Sequence, residues 1–184
     1  MPRYKKEWWE KAKQFQVPLI ELADLMRMLE KARDKEERVA LILLYYTGAR
    51  PSEIVNLKKE HIKKFRNQIA INFITLKKGL SRTIWLPLND LTKEILEQSE
   101  KLQSDQFLLP RIRHGWNIRD LVYRVSDNTL TAYFFRHNRL SKLANKGFDI
   151  YTLRYFKGAR TISSVEPYVQ MAGTPVKKLA KHID

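Results

Sequence analysis

The run RVALILLYY, residues 38–46, is apolar over almost its whole length and has to be buried, so the fold must be assembled around it. It belongs to a helix expected over about Lys35 to Tyr46, stopped at Thr47-Gly48 by a glycine. Pro51 suits the first turn of a following helix, where its missing N–H does no harm, and Ile54, Val55 and Leu57 open another apolar face. Arg50 then stands at the junction of two core helices, and a permanent charge there needs a reason. Proline biases the residue before it away from helical angles, which puts Arg50 just outside a helix N-terminus. Unpaired amides and a positive dipole end seat phosphate at such a place, and a guanidinium adds a planar fork for two of its oxygens. An ion pair with Glu53 explains the same arginine equally well.

The rest of the chain surrounds that segment with further periodic elements. Residues 1–15, MPRYKKEWWEKAKQF, are basic and aromatic and read as a leader or linker. From Pro18, LIELADLMRMLEKAR repeats apolar residues at helical spacing. The period then changes: Ile69, Ile71 and Phe73 alternate with Ala70, Asn72 and Ile74 as in a strand, KKGLS supplies a turn, and RTIWLPL returns as the partner. Helical patterns resume at DLTKEILEQSEKL and continue with loops to TPVKKLAKHID, a short tail helix at about 174–184. The expected fold is mainly α with one small antiparallel β-sheet (α+β), a single domain over 16–184.

Charge narrows the partner. Thirty-five Lys and Arg against twenty Asp and Glu leave a formal +15, a field that favours polyanions by steering and counterion release. Nucleic acid leads; an anionic membrane surface is second but lacks a strong amphipathic segment. The longest apolar run is too short to cross a bilayer, and no signal-peptide pattern opens the chain. Cysteine is absent, which excludes disulfides, thiolate metal sites and cysteine nucleophiles and fits a reducing cytoplasm. The four histidines form no convincing ligand cluster, so neither metal nor cofactor is expected.

TGARPSEIVNL resembles the first arginine box of the tyrosine recombinase (phage integrase) family, T-G-x-R-x-S-E-h-x-x-L with h apolar, through Thr47, Gly48, Arg50, Ser52, Glu53 and Leu57. LKKGLSRTIWLPL resembles the hairpin that carries the family's lysine, with Lys77 at its place and Lys78 one register step away. For the second arginine, in a His-x-x-Arg box, YFFR (Tyr133 to Arg136) competes with YTLR (Tyr151 to Arg154). After Arg136 the sequence matches the family's later run without a gap: Gly147, Asp149, Gly158, Ser163 and Ser164 fall in place, and Tyr168 takes the position of the nucleophile. From Arg154 the same interval passes the last residue, Asp184, so Arg136 is preferred. Pro167, just before Tyr168, would interrupt a helix at that point.

The resemblance implies the catalytic domain of a site-specific DNA recombinase, such as the integrase of a virus or mobile plasmid. In that reading Arg50 and Arg136 clamp the scissile phosphate and Tyr168 attacks it to form a 3′-phosphotyrosine. Lys77 protonates the departing 5′-oxygen and Glu53 orients Arg50. A tetramer on double-stranded DNA is implied, with a monomer conceivable off DNA, acting in the cytoplasm of a prokaryotic host and on its nucleoid. The family's separate DNA-clamping domain has no room upstream, which implies a catalytic fragment. Two positions depart from the pattern: Tyr133 stands for the first histidine and Ala159 for a second histidine or tryptophan. A phenol still donates a hydrogen bond; an alanine side chain donates none. Arg160 or His137 would have to reach in instead, yet each neighbours its motif position on a helix and so points roughly 100° away. A type IB topoisomerase-like strand transferase and a catalytically impaired DNA-binding family member remain alternatives.

Overall fold

In the computed structural model, residues 19–74 and 81–171 are described. The chain enters through buried Ile20, whose N–H donates to Asn138 Oδ1 at 3.0 Å, and turns into helix α1, Leu22–Glu30. Helix α2, Lys35–Thr47, starts at Asp34, whose carboxylate accepts from the Glu37 N–H, and ends at Gly48 in the left-handed region. Every residue from Val39 to Leu44 is buried, because α1 and three later helices pack around this one. These are α4 (Asp90–Glu100), α5 (Gly115–Val125) and α6 (Ala132–Asn145). Arg38 pins α2 to α4 by a two-pronged bond to Glu94 at 2.9 and 2.6 Å.

Helix α3, Pro51–Ile54, is a single turn rather than the longer helix expected from Ile54, Val55 and Leu57. The chain leaves it because the Leu57 carbonyl is claimed by the distant Leu108 N–H at 2.8 Å, which draws the segment out of helical pairing. After a 3-10 turn at Lys59–His61 come three antiparallel strands in order: β1, Ile62–Phe65; β2, Gln68–Ile74; β3, Ser81–Pro87. The sequence pattern predicted β2 and β3 but not β1, whose inward side is the single residue Ile62, too short a pattern to stand out. Ile71 lies opposite Ile84, and Phe73 opposite Arg82. The alternation of β3 therefore puts Arg82 on the same buried face as Ile84 and Leu86.

A smaller apolar cluster closes the fold beyond α6. Leu140, Leu143 and Ala144 of α6 meet Leu153 of helix α7, Ile150–Lys157, and Val165 just before helix α8, Glu166–Met171. This satellite core carries Tyr168. Pro167 does not interrupt α8, since the helix begins one residue earlier and the proline occupies its first turn. The leader at 1–15, Lys77 and Lys78 on the hairpin, and the tail helix at about 174–184 lie outside the described residues. Among the described residues, no helix is long and apolar enough to cross a membrane.

Candidate active site

Arg50 caps α3 with extended backbone angles, as the following proline requires. Its N–H donates to Glu53 Oε2 at 2.7 Å and its Nη1 to Glu53 Oε1 at 2.9 Å. The ion pair is therefore real, but it leaves 38% of the Arg50 side chain exposed, so the pair and an anion contact are compatible. Glu53 is buried and serves more than Arg50. Arg82 reaches it from β3 through Nη1 and Nη2, both at 2.9 Å, and Arg136 Nη1 lies 4.0 Å away. Burial works to raise the Glu53 carboxyl, but Arg82, the Arg50 amide and the Arg136 charge outweigh it and hold the group below its ordinary range.

Arg136, on α6, is buried and tied at both ends of its fork. Nη1 donates to the Gly48 carbonyl at 2.9 Å and Nη2 to the Lys157 carbonyl. Gly48 permits this approach twice over: its φ is +57°, and a Cβ there would sit 3.2 Å from Arg136 Cα and from Arg139 Cβ. Gly158, also left-handed, leaves room for Arg82, whose Nη1 would lie 2.6 Å from an added Cβ and whose Nε donates to the Phe156 carbonyl.

Three guanidiniums against one carboxylate leave +2 among these four side chains, and Lys157 adds another charge nearby. Such crowding of charge weakens the hold on a proton. Burial, then the neighbouring Arg50 and Arg82, lowers Arg136 to about 10 despite Glu53. Burial, then Arg136 and Arg50, lowers Lys157 to about 8. An anion placed here relieves both. The sign is testable: a nearby phosphate favours the ammonium and raises the Lys157 pKa, so an inorganic polyphosphate bound here at pH 8 should bring uptake of about half a proton by this group. At pH 6, where Lys157 is already charged, that uptake should vanish, as it should at pH 8 in Lys157→Met. Calorimetry in buffers of different ionisation enthalpy reads it; equal uptake by the variant would remove Lys157 from the anion site.

The Tyr168 phenol faces this cationic group from α8. Its oxygen lies 3.3 Å from His137 Nδ1, the two rings being tilted 52° with centroids 5.1 Å apart. Lys157 Nζ sits 5.4 Å from the centroid of the Tyr168 ring and donates to the Ser164 carbonyl. Burial pushes the phenol up, and the Arg136 charge opposes it.

His137 thus corrects the expectation that it points away. The 100° turn from Arg136 is present, but Arg136 reaches back to α2 and α7 while α8 packs on the side His137 faces. Of the other residues singled out, Tyr133 is 61% exposed in the first turn of α6, Ala159 is half-buried beyond α7, Arg160 is exposed, and Arg154 lies on α7. Sequence reasoning missed Arg82 and Lys157. Arg82 had a signal, a charge in phase with Ile84 and Leu86; Lys157 had none, since lysine is common at helix C-termini.

The family model described as "Phage integrase family" matches residues 19–174. Among curated relatives, transposase A from transposon Tn554 of Staphylococcus aureus is 23% identical over 190 residues, covering 91% of this chain and 52% of the relative. Tyrosine recombinase XerC of Staphylococcus aureus is 26% identical over 176 residues, covering 86% and 57%. The chain thus spans about half the length of the curated relatives it matches. XerH recombinase, solved bound to a palindromic difH substrate after cleavage, superposes with a TM-score of 0.68 at 16% identity, over 86% of this chain and 51% of that one. The catalytic domain of bacteriophage HP1 integrase gives 0.60 at 21% identity, over 90% and 94%. The likeness to these two structures establishes a shared fold.

Proposed function

Because the chain belongs to the phage integrase family, we propose that it cleaves and rejoins double-stranded DNA through a covalent 3′-phosphotyrosine. The observation that supports this most is convergence: two guanidiniums from segments far apart in sequence meet at one buried carboxylate, and a phenol from a third segment lies within the field of Arg136, with cationic charge in excess. Charge building on the non-bridging oxygens of a phosphodiester is answered by fixed cations already in place. Arg50 and Arg136 hold the phosphate. Tyr168 attacks phosphorus, and Lys77 protonates the departing 5′-oxygen. Glu53 positions Arg50, with Arg82 holding Glu53 in turn. The covalent bond keeps the energy of the one it replaces, so rejoining to another strand needs no nucleotide cofactor.

In this reading residues 16–184 form the catalytic domain, and the tail at about 174–184 docks on a neighbouring copy within a tetramer on two duplexes. The site of action is the host's DNA, in the cytoplasm. Ala159 favours a second reading, a DNA-binding family member with impaired chemistry. A library of nicked duplexes with a randomised core separates the two. Wild type should yield a protein–DNA adduct stable to denaturing electrophoresis, and sequencing the trapped DNA gives the site. Tyr168→Phe should give no adduct while retaining DNA binding. An adduct that survives in Tyr168→Phe overturns the assignment of the nucleophile; DNA binding without any wild-type adduct supports the second reading.

A further inference from the structure

Cleavage requires the Tyr168 proton to leave, and neither departed position supplies an acceptor: Tyr133 is exposed and Ala159 has no polar side-chain atom. His137 lies where an acceptor is needed, its Nδ1 3.3 Å from the phenolic oxygen, a separation that shortens as charge develops. Among the described residues, Lys157 faces the pair from α7, and Arg136 and Arg139 flank His137 on its own helix. Burial, then the Lys157 charge, lowers the His137 pKa, which favours the neutral imidazole, the form that carries a lone pair.

We propose that His137 is the catalytic proton acceptor for Tyr168, replacing the family's missing histidine from a different position on the same helix. The inference rests on the reading of Tyr168 as nucleophile. In cleavage, the Oη proton passes to the Nδ1 lone pair of the Nε2–H tautomer. The phenolic oxygen bonds to phosphorus, and the phosphorus–5′-oxygen bond breaks. The 5′-oxygen takes its proton from Lys77. In rejoining, the 5′-hydroxyl attacks phosphorus, its proton returns to Lys77, and the imidazolium returns its proton to the phenolic oxygen as the tyrosyl bond breaks. The Arg136 charge favours the phenolate that develops, and the Lys157 charge disfavours the imidazolium beside it, which keeps the proton mobile.

The transfer is testable without DNA. Benzenesulfonyl fluoride sulfonylates a phenolic oxygen with loss of fluoride, and peptide mass spectrometry reads the rate at Tyr168 between pH 4.5 and 9. In wild type the rate should rise to a plateau with its midpoint below the ordinary imidazole value of about 6.5. His137→Asn keeps a polar atom near Nδ1 but accepts no proton; it should label about ten-fold more slowly or worse, without that plateau. Added imidazole should restore labelling in His137→Ala, checked for an unchanged thermal transition. Equal rates and pH profiles in wild type and His137→Asn, or no rescue of a folded His137→Ala, overturn the proposal. Single-turnover cleavage of the trapped duplex separates it from the DNA reading. Adduct formed by His137→Asn with the wild-type rate and pH profile leaves the DNA reading standing and removes His137. His137-dependent labelling with no adduct on any duplex does the reverse.

Discussion

Glu53→Ala should destabilise the protein by about 3–5 kcal/mol, the range seen when one partner of a buried ion pair is removed. For a chain of this size that corresponds to a fall in Tm of roughly 6–20 °C. The cost arises from what remains. Arg82 is buried with both terminal nitrogens on this carboxylate, and Arg136 is buried 4.0 Å from it. Without Glu53 these charges face one another in a poorly solvated site. The cycle with Arg82→Met should recover part of the loss, because the second change removes the cation that the first leaves uncompensated. A loss under about 1 kcal/mol in Glu53→Ala would show that solvent already screens the cluster. The pH dependence carries a definite sign. The Glu53 carboxyl is lowered on folding, so its contribution is complete above its ordinary value of 4.5 and is lost as pH falls through the lower folded value. Glu53→Gln should lose that acid limb.

Arg50→Ala should do the opposite, sparing the fold and disabling the chemistry. Its side chain is 38% exposed, and without it Glu53 keeps the two-pronged bond to Arg82, so stability should change by about 1 kcal/mol or less. Adduct formation in a single turnover should fall by about 10²–10³-fold, the usual loss when one fixed donor to a developing oxyanion is removed. Arg50→Lys should restore little, since an ammonium lacks the planar fork. Wild-type cleavage by Arg50→Ala would sink the phosphate clamp. Arg136→Ala is a poorer probe, because its fork also holds the carbonyls of Gly48 and Lys157 and its loss disturbs the join of α6 to the C-terminal ends of α2 and α7.

Local chemistry made much of this legible in advance. Gly48 and Pro51 mark the boundary between α2 and α3, and the alternation over Ile69–Phe73 marks β2. Such signals act within a few residues of themselves. β1 escaped because one inward residue makes no period, and the length of α3 escaped because a partner far along the chain, Leu108, ends it.

Resemblance to a known family supplied the series Arg50, Arg136, Tyr168, whereas the α+β class and the excess of positive charge were properties of the sequence by itself. They depend on residue type, spacing and turn chemistry, which exist before the chain folds. Only the tertiary structure decided that Glu53 serves Arg82 as well as Arg50, that Lys157 stands over Tyr168, and that His137 meets the phenol. The physical reason is that an ionisable group takes its strength from the charges and the burial within a few ångströms. Here α2, α3, α6, α7, α8 and β3 converge to set both, and periodicity tells which side a residue faces but never what faces it.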